Sequence, residues 1–414
     1  MTKACYVGVA GKARKVKKIY VGVANKARKV KKAYVGVGGK ARPFFSAEQQ
    51  LIYYGTVTPL IKIRGYLAAT TVGNYALFGG GYNAGSQSTV DAYSASLVRS
   101  TPTPLSQARE ELAATTIGDY GLFGGGTNNE KATSTVDAYN TSLVRSTPTP
   151  LSQTRRHLAA TGVGGYALFG GGLGPRYTAD AVDAYRTTLV HGTITPLSAP
   201  RSGLTATTTG YYALFAGGYG GVLNKSYSAT VDAYSNSLVQ STITPLSAPR
   251  NGLTATTTME GDMLFGGGYN GNYMSTVDAY SADLVRSTPT PLSQSRGRFG
   301  ATTIGDYGLF GGGSVSGGYS STVDAYNTSL VRSTPTPLSQ ETGNNAATTV
   351  GNYALFGSGT SPAGESSVDA YTVEGGGSEP SKPSNPDPDP DGPEDLKPKP
   401  RPGGHVPDKV FGED

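Results

Sequence analysis

The sequence predicts an all-β protein whose main body is a closed ring of seven four-stranded blades, a β-propeller, on three observations. A VDAY-type segment recurs with its aspartate at Asp91, Asp137, Asp183, Asp232, Asp278, Asp324 and Asp369, at intervals of 45–49 residues. A period in the forties, in β-rich sequence, marks propeller blades. The composition agrees: 59 Gly, 27 Tyr and only 15% charged residues in 414 favour sheet and turn over helix. Third, QLIYYGTVTPL at 50–60 has the form that ends each later repeat, yet no VDAY segment precedes it.

Taken in chain order, the first region is a basic arm, residues 1–45, with 13 Lys and Arg and no Asp or Glu. That leaves 22 of the 35 basic residues against all 29 acidic ones, so the net charge of +6 belongs to the arm. YVGVAGKARKVKKI (6–19), YVGVANKARKVKKA (20–33) and YVGVGGKAR (34–42) repeat at a period of 14. KVKKIYVGV reads as one strand and AN-KAR as its turn, which predicts a small antiparallel meander. The single cysteine, Cys5, falls at the position of Ile19 and Ala33, a packing position, and one cysteine excludes a disulfide framework or a Cys-rich zinc site. Three short strands bury too little to be secure alone, so the arm is expected to dock on a partner or on copies of itself.

Each period of the array, residues 46–374, divides into four pieces: strand a, LAATT (67–71); b, YALFGGG (75–81); c, TVDAY (89–93); and d, LVRSTPTPL (97–105). Gly73-Asn74 and Gly118-Asp119 suit a tight a–b hairpin. Strand a is small because inner strands crowd a tapering axis. The seventh a–b–c set, 346–373, runs into linker and lacks a strand d. The segment at 50–60 is expected to supply it, closing the ring and leaving no blade incomplete. The tail, 375–414, holds ten prolines and is expected to be disordered.

YALFGGG, then VDAY, then TPL and an arginine resemble the kelch motif, in seven copies. The tryptophan typical of that motif is absent throughout, so the array resembles a divergent kelch-like group of bacterial and phage proteins. That resemblance implies a fold and leaves the function open. The YVGV…KARKVKK arm resembles N-terminal segments of phage and prophage tail-associated proteins of Gram-positive bacteria, which implies an attachment module.

Comparing blades with one another locates the variation. The strands repeat, whereas the b–c loops (GYNAGSQS, GTNNEKATS, GYNGNYMS) and the d–a links (SQAREEL, SQTRRHL, SAPRSGL) differ. In an antiparallel blade these two connections leave the same end, so one face carries the variation. Its candidate ligand-binding residues are Tyr82, Asn83, Asn128, Asn129, Tyr177, Tyr219, Tyr227, Tyr269, Asn270, Tyr273 and Tyr319. Tyr supplies contact area at low entropy and Asn adaptable hydrogen bonds; solvated loops under no constraint would show the same pattern. Arg64, Arg109, Arg155, Arg201, Arg250 and Arg296 follow TPL at one offset, with Thr342 in the seventh blade. They would form either an anion-capturing ring or braces paired with the repeated aspartates, and repetition in nearly every blade favours the brace. In the arm, Lys15, Lys17, Lys18, Lys29, Lys31 and Lys32 are the candidate docking contacts, ahead of edge protection and of phosphate binding to nucleic acid.

Enzymatic readings fare poorly. There is no Walker loop, no Gly-x-Ser-x-Gly and no His-rich cluster, and His157, His191 and His405 are the only histidines. Glu110, Glu111 and Asp180 are available to a polysaccharide-acting enzyme, but nothing in the sequence pairs them. No catalytic residue, metal or cofactor is expected. No apolar run is long enough to cross a membrane, and no signal peptide is visible. The function expected is that of a non-enzymatic phage or prophage virion protein, made in the bacterial cytoplasm. Its arm would hold it to other virion proteins while the propeller binds a host-surface glycan or protein, and a homo-oligomer is compatible with that role. The alternative is a structural decoration touching only other virion proteins.

Overall fold

The structure, a computed structural model, describes residues 49–374 apart from 221–225, 358 and 365, together with the backbone of six arm strands between 6 and 46. Every regular element described is a strand. Seven antiparallel four-stranded sheets follow one another, each in the simple order a, b, c, d. In blade 2 these are Ala113–Ile117, Tyr120–Gly124, Val136–Asn140 and Arg145–Ser146. The a strands of consecutive blades lie side by side, and Ala346–Val350 of blade 7 lies beside Ala68–Val72 of blade 1, so the ring is complete.

The ring closes as the sequence predicts. Gln50–Val57 is the outer strand of blade 7 and pairs antiparallel with Val368–Glu374 from Val57↔Val368 to Gln50↔Glu374, with a bulge between Ala370 and Tyr371. The six other outer strands are all shorter than the nine residues expected. In blades 1, 2, 5 and 6 they span two residues, as at Arg99–Ser100 and Arg145–Ser146. In blades 3 and 4 they span four, His191–Ile194 and Gln240–Ile243. The difference is one residue type: the short strands run into Ser-Thr-Pro, whereas Ile194 and Ile243 replace that proline. A proline has no N–H to donate to the ladder, so pairing stops before it. The closing strand has Val57 there and can run on.

The arm departs from the expected meander. Tyr6–Val9 pairs with Lys12–Lys15, Tyr20–Val23 with Lys26–Lys29, and Lys32–Val37 with Lys40–Ser46, as three separate hairpins. KARK is therefore a strand, not a turn. Lys15, Lys29 and Lys32 lie on these strands; Lys17, Lys18, Lys31, Cys5 and the tail 375–414 lie outside the described residues.

A blade is covered on both faces by its neighbours, so alternate residues of one strand serve different interfaces. In strand b of blade 1, Ala76 and Phe78 pack with Leu355 and Val368 of blade 7, while Leu77 packs with Phe123 and Tyr139 of blade 2. This is why YALF and VDAY read as continuous rather than alternating apolar runs. The VDAY tyrosines latch each blade to the one before it: Tyr139 donates its hydroxyl to the Thr103 carbonyl at 2.7 Å and Tyr93 to Thr58 at 2.8 Å. Burial pushes these hydroxyls well up from their ordinary pKa, so they stay donors. Along the axis, strand-a threonines bond across blade junctions, as at Thr70–Thr116 and Thr302–Thr349, both 2.8 Å.

The first two glycines of the Gly triplet answer different needs. A Cβ on Gly124 would lie 2.6 Å from the Phe169 ring of the next blade, a side chain that can yield. Blade 4 already carries Ala216 at this position, buried in the cluster that holds Phe265. Gly125 has φ +66°, and a Cβ there would lie 2.6 Å from the backbone oxygen of Arg155. Gly124→Ala is therefore expected to destabilise by about 1 kcal/mol and Gly125→Ala by about 3 kcal/mol, the latter combining left-handed strain with a backbone clash. Urea unfolding of the two variants would decide; equal effects would refute the distinction.

Candidate functional site

The seven b–c loops and seven d–a links meet at one face. The residue after each repeated arginine, or after Thr342 in blade 7, bridges the b–c loop of its blade: Gly65 with Tyr82, Glu110 with Thr127, Ser202 with Tyr219, Asn251 with Tyr269, Gly343 with Thr360. The opposite face carries the a–b and c–d turns.

The six arginines do not reach that face. Arg64, Arg109, Arg155, Arg201, Arg250 and Arg296 are at most 1% exposed. Each pairs with the aspartate of its blade: Arg64 with Asp91 at 2.7 Å, Arg109 with Asp137 at 2.5 Å, Arg155 with Asp183, Arg201 with Asp232 at 2.7 Å, and Arg250 and Arg296 with Asp278 and Asp324 at 2.8 Å. Arg109 also donates to the carbonyls of Phe123 and Gly125, binding d–a link to strand b. The other Asp137 oxygen accepts the Ser106 N–H from the start of the same link. The anion-ring alternative is thus corrected: these cations are braces within their blades, tying each d–a link to strands b and c. Burial lowers the Arg109 guanidinium below its ordinary pKa, and Asp137 opposes the shift. Blade 7 has no arginine, and its Asp369 accepts instead from Tyr53 at 2.7 Å and from the Ser339 N–H at 2.9 Å.

Of the aromatic candidates, four form one row. Tyr219 and Tyr227 of blade 4 lie 5.2 Å apart, Tyr227 and Tyr269 of blade 5 lie 6.1 Å apart, and Tyr269 and Tyr273 lie 5.3 Å apart, all edge to face. Asn270 is exposed beside them. The remaining candidates are placed singly. Tyr82 and Asn83 are exposed on blade 1, Asn129 is exposed and Asn128 half-buried on blade 2, and Tyr319 lies against Gly343. Tyr177 lines a recess of about 500 Å³ over blade 3 with Gln153, Thr154 and Arg176.

A second feature lies on the axis, and the blade comparison did not single it out. The residue two places after each repeated arginine or Thr342 is Tyr66, Glu111, His157, Gly203, Gly252, Arg298 and Asn344 in turn. All seven are left-handed, with φ between 50° and 63°. Five of them are not glycine, a conformation that L-residues keep only where the surroundings hold it. What holds it is a closed circle of backbone hydrogen bonds: each of these N–H groups donates to the carbonyl of its counterpart in the preceding blade at 2.8–3.0 Å, from Tyr66 to Asn344 and onward round to Asn344 to Arg298. Within the circle is a cup of about 350 Å³, floored by Leu67, Leu112, Leu158, Leu204, Leu253 and Phe299. Backbone is the same in every blade here, and only the side chain changes. That change, at one offset from the arginine, was the signal available in the sequence.

On the rim, Glu111 is already paired, with His157 at 3.0 Å and Arg156 at 3.0 Å. Burial alone would raise its pKa, but the hydrogen bond and charge of His157, with Arg156, outweigh it and hold the carboxyl below the ordinary range. Glu110 is pushed up by burial and by Glu111, and accepts from Ser86. Arg298, exposed across the cup, has no ion pair among the described residues. Nor do any three His, Cys, Asp or Glu side chains gather to hold a metal among them.

The opposite face differs in kind. Val98, Val144, Val190, Val239, Val285 and Val331 stand exposed in successive c–d turns, with Tyr211 and Met259 in the a–b turns of blades 4 and 5. At this face too the chain enters and leaves the ring. Gln49 accepts the Asp306 N–H at 2.8 Å and the Tyr307 hydroxyl at 2.7 Å, at the a–b turn of blade 6, and Glu374 pairs with Gln50 beside it.

Fold and faces together define a closed seven-bladed β-propeller with a ligand-sized cup on its axis. No protein-family model matches the sequence, and no curated protein matches it. Among solved structures it is similar to that of YjhT, with 13% identity and a TM-score of 0.52 over 64% of this chain and 97% of that one. A likeness at that identity shows the fold alone.

Proposed function

We propose that this is a non-enzymatic display protein, held to a phage or prophage particle through residues 1–45 and binding a bacterial surface carbohydrate or protein with the opposite face. One observation carries the reading: the chain enters and leaves the propeller on the a–b/c–d face, at Gln49 and Glu374, while the residues that differ between blades cluster on the b–c/d–a face. A molecule fixed at one face and variable at the other is built to present the second. The kelch-like pattern and the phage-tail-like arm support the same division, and the exposed valines around the arm-side face suit contact with neighbouring particle proteins. A tyrosine row with Asn beside it suits carbohydrate, whose C–H faces stack on rings while hydroxyls bond to amides. Glu111, the carboxylate on the cup's rim, is already paired with His157 and Arg156.

The test uses full-length protein and a chain lacking residues 1–45 on an array of bacterial surface polysaccharides, with particle incorporation measured alongside. Truncation should abolish incorporation and leave array binding within about two-fold. Loss of array binding on truncation, or cleavage of any bound polysaccharide, would overturn the reading.

A further inference from the structure

The axial cup and the tyrosine row are connected through the rim. Five rim positions carry side chains and two do not, and those two, Gly203 and Gly252, are neighbours in the hydrogen-bonded circle. The rim is therefore notched on one side, at blades 4 and 5, and because the Arg298 side chain lies against Gly252 the open part of the notch is at Gly203. Ser202, Asn251 and Tyr219 line the cup at the notch, and Tyr219 is the first ring of the row that runs on through Tyr227 to Tyr269 and Tyr273. Downward the cup is blocked: the leucines of its floor are no more than 7% exposed and Phe299 is 3%.

We infer that the cup receives the terminal residue of a saccharide chain, whose following residues leave through the notch at Gly203 and lie along the tyrosine row. The inference rests on the carbohydrate reading of this face and adds that recognition is of a chain end. Size sets the limit, since about 350 Å³ lies at the lower end of the range for ligand pockets, roughly 300–1,000 Å³. One or two sugar rings fit and a longer segment does not. Chemistry agrees: leucines and Phe299 below take the apolar face of a sugar ring, and Arg298 and Asn344 at the rim offer donors to its hydroxyls. An internal segment of a chain would need two exits from the cup, and the filled rim leaves one.

The rim supplies its own control. Tyr66 occupies the Gly203 position in blade 1 at φ 56°, against 63° for Gly203, and a Cβ at Gly203 meets nothing closer than 3.6 Å. Gly203→Tyr should therefore fold and fill the notch; should it not, Gly203→His copies blade 3. On the polysaccharide array, Gly203→Tyr is expected to lower affinity at least ten-fold, with an unfolding midpoint close to that of the parent. Trimming the terminal residue of the bound polysaccharide with an exoglycosidase should lower binding as much, and Tyr269→Ala should weaken it too. If Tyr269→Ala weakens binding while Gly203→Tyr and trimming leave it intact, the chain lies on the row without entering the cup, and the inference fails while the carbohydrate reading stands. If the parent protein binds no polysaccharide, both fail.

Discussion

A chain beginning at residue 61 is expected to lose most of its stability, and a synthetic peptide of residues 49–60 to restore it. The strand Gln50–Val57 completes blade 7, and its removal strips the outer edge from Val368–Glu374. Buried partners go with it: Leu60 is 2% exposed in the cluster of Phe78 and Tyr93, and the Tyr93 hydroxyl loses its Thr58 acceptor. Tyr53 also packs on Tyr371 at 5.2 Å, and Tyr54 on Tyr353 at 5.0 Å. Loss of one cross-strand ladder and several aromatic contacts should amount to on the order of 5 kcal/mol or more, comparable with the whole margin of a typical domain. Thermal unfolding would show a broadened or absent transition. Added peptide should raise the midpoint with concentration, as any ligand of the folded state does. An unchanged melting curve for the truncated chain would mean that the ring does not depend on this closure.

The second large effect separates two aspartates that look alike in sequence. Asp137→Asn leaves the fully buried Arg109 without its counter-charge, and removing one partner of such a pair costs about 3–5 kcal/mol. The joint replacement Arg109→Met with Asp137→Leu should recover only part of that loss, because the desolvation penalty of both ions disappears while the carbonyls of Phe123 and Gly125 and the Ser106 N–H lose their partners. Asp369 has no arginine, and Asn would keep an acceptor for Tyr53 and Ser339. Asp369→Asn is accordingly expected within about 1 kcal/mol of the parent. The pH dependence follows. Burial, opposed by the bonds from Tyr53 and Ser339, raises the Asp369 pKa in the folded state. The native state then holds this proton more tightly than the unfolded chain. Its contribution is fully present below the unfolded pKa and is lost as pH rises through the folded one. Glu111, held low, acts with the opposite sign: its contribution is present above the unfolded pKa and lost as pH falls through the folded one. Chemical denaturation across the acid range, on the parent, Asp369→Asn and Glu111→Gln, would resolve the two. A large loss for Asp369→Asn at neutral pH would contradict this assignment.

Much of the ring was legible because a repeat is a local object. The four-strand period, the tight Gly-Asn and Gly-Asp hairpins and the missing outer strand each follow from adjacent residues. Even the short outer strands are written there, in the proline that four blades carry and blades 3 and 4 replace with isoleucine. In the arm the turn was not legible, because a Lys-rich segment looks solvated whether it is strand or loop. At the site, the sequence singled out the tyrosines of the variable loops but not the rim of the cup. Tyr66, Arg298 and Asn344 sit in links that vary at several positions, and no property of one link marks one of these residues as axial.

Seven blades, their order, the closure at 50–60 and the availability of an arginine for every aspartate but Asp369 were thus determined by the sequence alone. All of these depend on neighbours along the chain or on counting. Only the tertiary structure decided that the tyrosines of blades 4 and 5 join into one row, that two glycines notch the rim beside it, and that the arm-side chain enters at the other face. Those features unite residues about one blade or more apart, which come together only when the ring shuts. Their distances are set by how the sheets pack around the axis, and no single repeat contains that information.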